Sequence, residues 1–409
     1  MKVLSLFDGM ACGMLAMIKA GIEVDRYVAY EIDKYAVQTS SHNFPAIEHR
    51  GDVFQANFTE FSGFDFLVGG SPCTYWSIAQ KNNRETEASG IGWELFSQYV
   101  RALREAQPMF FIYENNKSMS KAIRESITET FGFEPVCINS ALVSAQNRQR
   151  LYWVGRRNLD GTYSRVNVNQ PEELGLIVRD ILDDSIFLDG ENTRTEKPFR
   201  VGTYPNNAKN QNYDSQQYRI YSTEGKSVTL CGNGGGMGAK TGLYAVPIVE
   251  GNVLSDEYFH GGFDGNLIGM VETPMTARNG KQPSQHCRVY SCDDKSMCLG
   301  TDSRNRIIAP YDGKTTPFYE VKNGIITING KQYPIKLKDC VYIIRTLTIS
   351  ECKRLQTVPE WYEFPVSNAQ AYKMLGNGWT VEVIAHLIKA TQSGNLAEEQ
   401  LDLFKILGV

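Results

Sequence analysis

The nine residues Phe66-Leu-Val-Gly-Gly-Ser-Pro-Cys-Thr74 constrain this chain most. An apolar run breaks at two glycines and Pro72 then fixes the backbone, so Cys73 is expected at the end of a buried strand. In open α/β sheets that edge is where ligands bind. Two readings of Cys73 are open. It is a nucleophile, because a reactive thiol needs access and a lowered pKa and a turn beside a helix start suits both, or it is an inert thiol in a tight turn.

The same design recurs along the chain. Lys2 to Phe7 reads as a buried strand, Asp8-Gly-Met-Ala-Cys-Gly13 as a turn, and Met14 to Ala20 as a helix closed by Gly21. A strand, glycine turn and helix in that order bring backbone N–H groups up to a ligand. Gly9 and Gly13 do not supply the three glycines of the dinucleotide fingerprint. Tyr27 to Asp33 is a second strand ending in acids, roughly twenty residues after that turn, where a carboxylate receives ribose hydroxyls in nucleotide-type folds. Glu31 is therefore a cofactor candidate. Gly51-Asp-Val53 reads as the end of a third strand and puts Asp52 at the same edge, toward an adenine amino group. For both acids a cap or a solvated turn is the alternative.

Met109-Phe-Phe-Ile-Tyr-Glu-Asn115 is another apolar strand ending in a carboxylate. Neighbouring parallel strands lie about 4.8 Å apart, so Glu114 is expected at the edge that holds Cys73. Between them Trp93, Phe96, Val100 and Leu103 recur at helical spacing and are read as core on a helix packed against the sheet. The extended stretch Val143 to Gly155 puts Arg148 and Arg150 on one side. Two guanidinium groups so placed suit a carboxylate, a phosphate or a base carbonyl, or a structural salt bridge.

Composition narrows the setting. The amino terminus enters a strand-like run with no basic, long apolar or cleavable segment, and no window approaches a membrane span. Nine cysteines, an odd number scattered over 409 residues, fit reduced thiols rather than a disulfide framework, so a cytoplasmic protein is expected. A net charge of −4 argues against indiscriminate polyanion binding and leaves room for a local basic groove.

In order along the chain, these motifs resemble those of the DNA (cytosine-5)-methyltransferase family, over roughly the first 185 and last 70 residues. Leu6-Phe-Asp-Gly-Met-Ala-Cys-Gly13 resembles the family's first cofactor motif in the form seen in the animal de novo methyltransferases. Gly70-Ser-Pro-Cys73 resembles the nucleophile motif, Glu114-Asn115 the carboxylate motif, and Gln146-Asn-Arg148-Gln-Arg150 the two-arginine motif. Val178 to Leu182, Arg345 to Gln356 and Leu375-Gly-Asn-Gly378 are similar to the remaining motifs. The chain departs from the family pattern at Thr74, where many members have glutamine, and at Asn116, where most have valine.

The resemblance implies a doubly wound, mostly parallel α/β sheet with an inserted, β-rich target-recognition domain. It also implies methyl transfer from S-adenosylmethionine to carbon 5 of a flipped cytosine in double-stranded DNA. Cys73 would attack carbon 6, Glu114 would act on ring nitrogen 3, Arg150 would hold the base carbonyl and Arg148 would order the site. Phe7, Gly9, Gly13, Glu31, Ile32, Asp52, Val53 and Asn377 would form the cofactor site. A bacterial or phage modification enzyme is expected, a monomer with a possible cognate restriction enzyme. A tRNA cytosine-5 methyltransferase and a non-catalytic DNA-binding accessory protein are the alternatives. The tRNA-methylating relatives typically carry Cys-Phe-Thr, which is absent here.

The expected domains are 1–190 for catalysis and cofactor, 191–340 for target recognition, and 341–409 returning to the catalytic domain. The middle region is rich in glycine, asparagine and serine between short β-like runs. Arg219-Ile-Tyr-Ser-Thr-Glu-Gly-Lys-Ser-Val-Thr-Leu230 and Arg288-Val-Tyr-Ser-Cys-Asp-Asp-Lys-Ser-Met-Cys-Leu299 share arginine, tyrosine, serine, lysine, serine and leucine in register. They are read as halves of one recognition scaffold or as a shared β-unit with no role in reading; Arg219, Arg288, Arg304 and Arg306 are the DNA-recognition candidates, with Arg304 and Arg306 reading guanine or binding phosphate. His286, Cys287, Cys292 and Cys298 lack the paired short loops of a structural zinc site, so no metal is expected.

Overall fold

The computed structural model describes residues 1–77, 84–183, 195–204, 216–232, 242–248, 269–270, 288–290, 306–307, 318–328 and 331–393. The chain divides into two compact units. One comprises Met1–Ser144, Arg148–Leu174 and Lys353–Val409, the other Ala145–Asn147 and Gly175–Cys352.

The first unit is built on strands β1 (Lys2–Leu6), β2 (Arg26–Tyr30), β3 (Glu48–His49), β4 (Phe66–Gly69), β5 (Phe110–Asn116), β6 (Val136–Asn139), β7 (Gln149–Arg157) and β8 (Tyr163–Arg165). Their order is β3-β2-β1-β4-β5-β7-β6, with β8 on β7. The first five run parallel, and β7 is antiparallel to β5, β6 and β8. Helices α1 (Cys12–Ala20), α2 (Lys34–Asn43), α3 (Gly90–Ala106) and α4 (Lys121–Phe131) follow β1, β2, β4 and β5. This is the expected doubly wound, mostly parallel α/β sheet.

Continuous apolar runs make these strands because a parallel sheet covered by crossover helices offers its side chains no wet face. All seven residues of β5 are buried. From α3, Phe96, Tyr99 and Leu103 enter one core with Leu67 of β4 and Phe111 of β5. Gly21 and Gly132 close α1 and α4 in the left-handed conformation that lacks a Cβ penalty, and the Ser120 hydroxyl caps α4 by accepting from the Ile123 N–H.

Strand register fixes the working edge. Leu6 is paired with both Tyr30 and Gly69, and Gly69 with Tyr113. Phe7, Glu31, Gly70 and Glu114 are therefore the next residues in one row across four strands. Asp52 is not at a strand end. β3 stops at His49, Gly51 turns the chain at φ +74°, and the Asp52 carboxylate caps a short 3₁₀ turn by accepting from the Phe54 N–H at 3.0 Å.

After α5 (Ile349–Leu355), helices α6 (Asn368–Asn377) and α7 (381–393) belong to the first unit. The Tyr362 hydroxyl donates to the Met10 carbonyl at 2.6 Å, and Lys373 pairs with Asp33 at 2.6 Å. A covering helix expected over 396–409 lies outside the described residues. Among the described residues no helix is long and apolar enough to cross a membrane.

The second unit holds β9 (Arg200–Thr203), β10 (Arg219–Ser222), β11 (Leu243–Ile248), β12 (Gly269–Met270), β13 (Arg288–Tyr290), β14 (Arg306–Ile307), β15 (Phe318–Lys322), β16 (Ile325–Ile328), β17 (Lys331–Pro334) and β18 (Cys340–Arg345). Seven form a sheet of order β17-β16-β15-β18-β11-β10-β9, and β12-β13-β14 form a second. Val201, Ile220, Tyr319, Ile326 and Tyr342 pack in the core of the larger sheet.

Phe111 is fully buried, with the rings of Phe131 and Tyr163 at 4.9 and 5.2 Å. Phe111→Ala removes it from a site that cannot collapse, so stability should fall by about 3–5 kcal/mol. The check is a denaturant titration in which the midpoint drops at unchanged slope.

Candidate active site at the carboxyl edge of the sheet

The turn after β4 is bolted to β5. The Ser71 and Tyr113 hydroxyls are 2.7 Å apart, and Asn115 Nδ2 donates to the Ser71 carbonyl at 3.2 Å, all buried. Cys73 then opens a 3₁₀ turn, Cys73–Tyr75. A Cβ on Gly70 would lie 2.8 Å from both the carbonyl oxygen and Oε2 of Glu114. Only glycine lets the cysteine turn approach this carboxylate so closely.

Both oxygens of Glu114 are held. Arg150 Nε lies 3.0 Å from Oε1, and Trp379 Nε1 donates to Oε2 at 3.0 Å. The two ionic side chains are only 11% and 14% exposed, so the pair is partly desolvated and charge-assisted. Above it, burial and the Glu114 charge push the Tyr152 hydroxyl well up, which keeps it a neutral phenol.

Arg148 and Arg150 reach toward different parts of the site. The Arg148 guanidinium is buried and donates to the carbonyls of Gly376 and Gly378 at 3.1 and 2.9 Å. Gln356 Nε2 donates to the Leu375 carbonyl at 2.6 Å. Arg148 thus anchors the turn that carries Trp379, while Arg150 faces the carboxylate.

At the β1 end, Glu31 braces the glycine turn. Its Oε2 accepts from the Gly9 N–H, and its Oε1 from the N–H groups of Ile32 and Asp33, each at 2.8 Å. Phe7 adopts φ +58° and packs partly on the core. The space beside Gly13 is filled from within, since a Cβ there would meet the Tyr27 hydroxyl at 2.5 Å. Val53 is in the core at 5% exposure and its carbonyl accepts from Arg101, whereas Asn377 is exposed at the end of α6. The glycine turn after β1 and the Leu375–Gly378 motif meet here, because a Cβ on Gly378 would lie 3.2 Å from Cys12 Sγ.

The C-5 cytosine-specific DNA methylase family model matches residues 1–393. The chain belongs to this family. It is similar to the orphan methyltransferase M.Rho11sI of Bacillus phage rho11s, 26% identical over 95% of this chain and 97% of that one. It is also similar to the type II methyltransferase M.FnuDI of Fusobacterium nucleatum, 27% identical over 96% and 95%. The crystal structure of S. pombe Dnmt2 methyltransferase shares the fold at TM-score 0.50 and 15% identity, covering 95% of this chain and 96% of that one. As a C-5 cytosine DNA methylase the chain is an enzyme that transfers a methyl group from S-adenosylmethionine to carbon 5 of cytosine in DNA. The accessory-protein and tRNA readings of the sequence are not favoured by these relatives.

The methylase's own residues fit that cofactor. Gly9 takes φ +59° with nothing within 4 Å of where a Cβ would stand, which opens the backbone to a ligand. Helix α1 starts at Cys12 without a side-chain cap, leaving its first N–H groups for a carboxylate. Glu31 uses three of a carboxylate's roughly four acceptor positions, and the fourth suits a hydroxyl. Ile32 beside it is an apolar side chain 77% exposed.

Of the recognition arginines, Arg219 begins β10 and is half-buried, Arg288 and Arg306 begin β13 and β14, and Arg304 lies outside the described residues, as do His286, Cys287, Cys292 and Cys298. Sequence reasoning missed two residues of the site. Trp379 directly follows the quoted Leu375–Gly378 motif, and the signal was a tryptophan with a polar N–H beside a glycine turn. Asp8 was read only as part of a turn. Its Oδ1 accepts from the Ser5 and Tyr27 hydroxyls at 2.6 and 2.7 Å, while its buried Oδ2 has no partner.

Burial pushes the Asp8 carboxyl from 3.8 up to about 6, against the pull of those two hydrogen bonds. A raised carboxyl favours folding while protonated, so this contribution is complete below about pH 4 and is lost as pH rises through 6. The wild type should therefore lose about 3 kcal/mol relative to Asp8→Asn across that window. Parallel unfolding titrations at pH 4 and pH 7 measure the difference, and equal losses would show that Asp8 titrates normally.

Proposed function

We propose that Cys73 is the nucleophile and Glu114 the acid of this methyl transfer. The observation that carries the reading is the approach of the cysteine turn to Glu114 across Gly70, with Arg150 and Trp379 fixing the carboxylate. Carbon 5 of cytosine is a weak nucleophile. The Cys73 thiolate adds to carbon 6, forming an S–C bond and pushing the ring's electron pair toward carbon 5 and nitrogen 3. Glu114 hydrogen-bonds nitrogen 3 as charge develops there, an interaction stronger in the transition state than in the ground state. S-adenosylmethionine, when bound, would supply an electrophilic methyl group, which carbon 5 would take with that electron pair as the donor's S–CH3 bond breaks. Loss of the proton from carbon 5 to water then returns the electron pair to the ring, and the S–C bond breaks to regenerate the thiolate.

Arg150 has a second task in this reading. A base carbonyl entering the site competes for its guanidinium, which frees a Glu114 oxygen to face ring nitrogen 3. Arg148 is a positioning residue that holds the Gly376–Gly378 turn. Phe7, Gly9, Glu31, Ile32 and Asn377 contact the cofactor, with Asp52 Oδ2 available to the adenine amino group. Gly13 and Val53 support these contacts from below. The residues 191–340 read the target, with Arg219, Arg288, Arg304 and Arg306 toward DNA, and the segment from Lys353 onward completes the catalytic domain. The target is a flipped nucleotide in double-stranded DNA. The enzyme acts as a monomer in the cytoplasm of a bacterium or phage-infected cell, alone or beside a cognate restriction enzyme.

Three substitutions test the assignment. Cys73→Ala should abolish transfer of labelled methyl to DNA while S-adenosylmethionine binding by calorimetry stays within a few fold, and substantial residual turnover would sink the nucleophile. Glu114→Gln should lower the methylation rate by about 10²–10⁴ with little effect on DNA affinity. Trp379→Phe keeps the ring but loses the N–H, and should lower the rate by roughly tenfold, the scale of one hydrogen bond to a charged group. An unchanged rate in both would return Glu114 to a structural role.

A further inference from the structure

The chain just after the nucleophile turn is fastened at two points that lie outside the quoted motifs. Trp76 follows the turn Cys73–Tyr75 and is fully buried. Its indole Nε1 donates to Glu85 Oε2 at 3.0 Å, and the Glu85 N–H donates to the Tyr75 carbonyl at 2.9 Å. The same carboxylate accepts from the Gly92 N–H, at 3.3 Å to Oε1 and 3.2 Å to Oε2. Gly92 holds the position whose N–H an N-cap side chain ordinarily receives, yet Ser89, the N-cap of α3, makes no such bond. Glu85 caps the helix in its place, and a carboxylate suits the positive end of a helix. A Cβ on Gly92 would lie 2.5 Å from Trp76 Nε1 and 2.6 Å from Glu85 Oε2, so this close approach requires glycine.

The second fastening reaches the strand that carries Glu114. Arg84 Nε donates to the Trp76 carbonyl at 3.2 Å, and its Nη2 donates to the Ser118 carbonyl at 2.7 Å in the turn after β5. Asn116 shapes that turn. Its Oδ1 accepts from the Ser118 hydroxyl at 2.7 Å, and its own N–H donates to Asn115 Oδ1 at 2.8 Å. Asn116 is also where the chain departs from the family's valine, which has no oxygen to offer Ser118. Asn115 in turn donates to the Ser71 carbonyl. Hydrogen bonds therefore run from Ser71 through Asn115, Asn116, Ser118 and Arg84 to Trp76, and Cys73 lies between the two ends of this circuit.

We propose that Arg84 and Glu85 are positioning residues for the methyl transfer, holding the backbone beyond Cys73 so that the turn presents it beside Glu114, with Asn116 shaping the anchor for Arg84. This deepens the reading of Cys73 as nucleophile and rests on it. A turn fixed only at Ser71 can pivot, and a small departure from the attacking geometry costs much of the rate. The effect of these residues falls on attack and not on binding.

The test is single-turnover methylation of duplex DNA by the full chain, beside calorimetric S-adenosylmethionine binding, DNA affinity and thermal melts. Glu85→Gln keeps the shape but turns an N–H toward the indole or Gly92, donor against donor, and is expected to slow transfer by roughly tenfold to a hundredfold. Trp76→Phe keeps an aromatic ring but removes the indole N–H, and is expected to slow transfer by roughly tenfold. The double variant is expected to be no slower than Glu85→Gln by more than about twofold, because both changes break one contact. Asn116→Val, which installs the residue most family members have, is expected to slow transfer severalfold. In each variant both affinities stay within a few fold of wild type, and adduct formation on 5-fluorocytosine DNA slows in step with transfer. Wild-type rates in Glu85→Gln and Trp76→Phe overturn the proposal, as does a loss accounted for by weaker cofactor or DNA binding. If Glu85→Gln melts below the assay temperature, Trp76→Phe decides alone. Absence of a Cys73 adduct in the wild type would instead remove the nucleophile reading, and the proposal with it.

Discussion

Everything at the active edge depends on strand register in a parallel sheet. Leu6, Tyr30, Gly69 and Tyr113 lie in one row, so the residues after them arrive together at the carboxyl edge. No side-chain contact has to gather Phe7, Glu31, Gly70 and Glu114, because backbone ladders in a buried sheet already do so. The one steric condition is Gly70. A methyl group there would lie 2.8 Å from the Glu114 carboxylate and push the cysteine turn away from it.

On this frame the polar groups divide into holders and actors. Ser71, Tyr113 and Asn115 form a buried network that rigidifies the turn before Cys73, and such networks specify a single geometry when fully satisfied. Arg148 and Gln356 clamp the turn from the far end of the chain. Trp379 passes that order on to Glu114. The cofactor turn and the carboxylate are therefore tied to one segment, with Gly378 against Cys12 and Trp379 against Glu114. Burial pushes the Cys12 thiol up to about 12, so it is a packing group without nucleophilic character.

Much of this was legible in sequence for a physical reason. Buried parallel strands are continuous apolar runs, so β1, β2, β4 and β5 could be read directly, and the residues ending them followed. Where the chain departed from that pattern, the reading slipped. Asp52 was placed at a strand end because Gly51 was not seen as a left-handed turn that stops the ladder. Arg148 and Arg150 looked like one pair on an extended segment, but β7 begins between them and their partners are 228 residues away and on the adjacent strand respectively. Gly13 has a packing reason of its own, since a Cβ there would meet the Tyr27 hydroxyl at 2.5 Å. Trp379 was not read because its contact spans 265 residues, which no local pattern encodes.

The central claim is covalent attack by Cys73 on a base held against Glu114. The most direct measurement uses duplex DNA in which every cytosine is 5-fluorocytosine, incubated with enzyme and S-adenosylmethionine, because fluorine cannot leave carbon 5 as a proton does. The account predicts a protein–DNA adduct that survives denaturing electrophoresis, with peptide mass spectrometry placing the attachment on Cys73. Complexes that all dissociate on denaturation, or attachment through another cysteine, would contradict it.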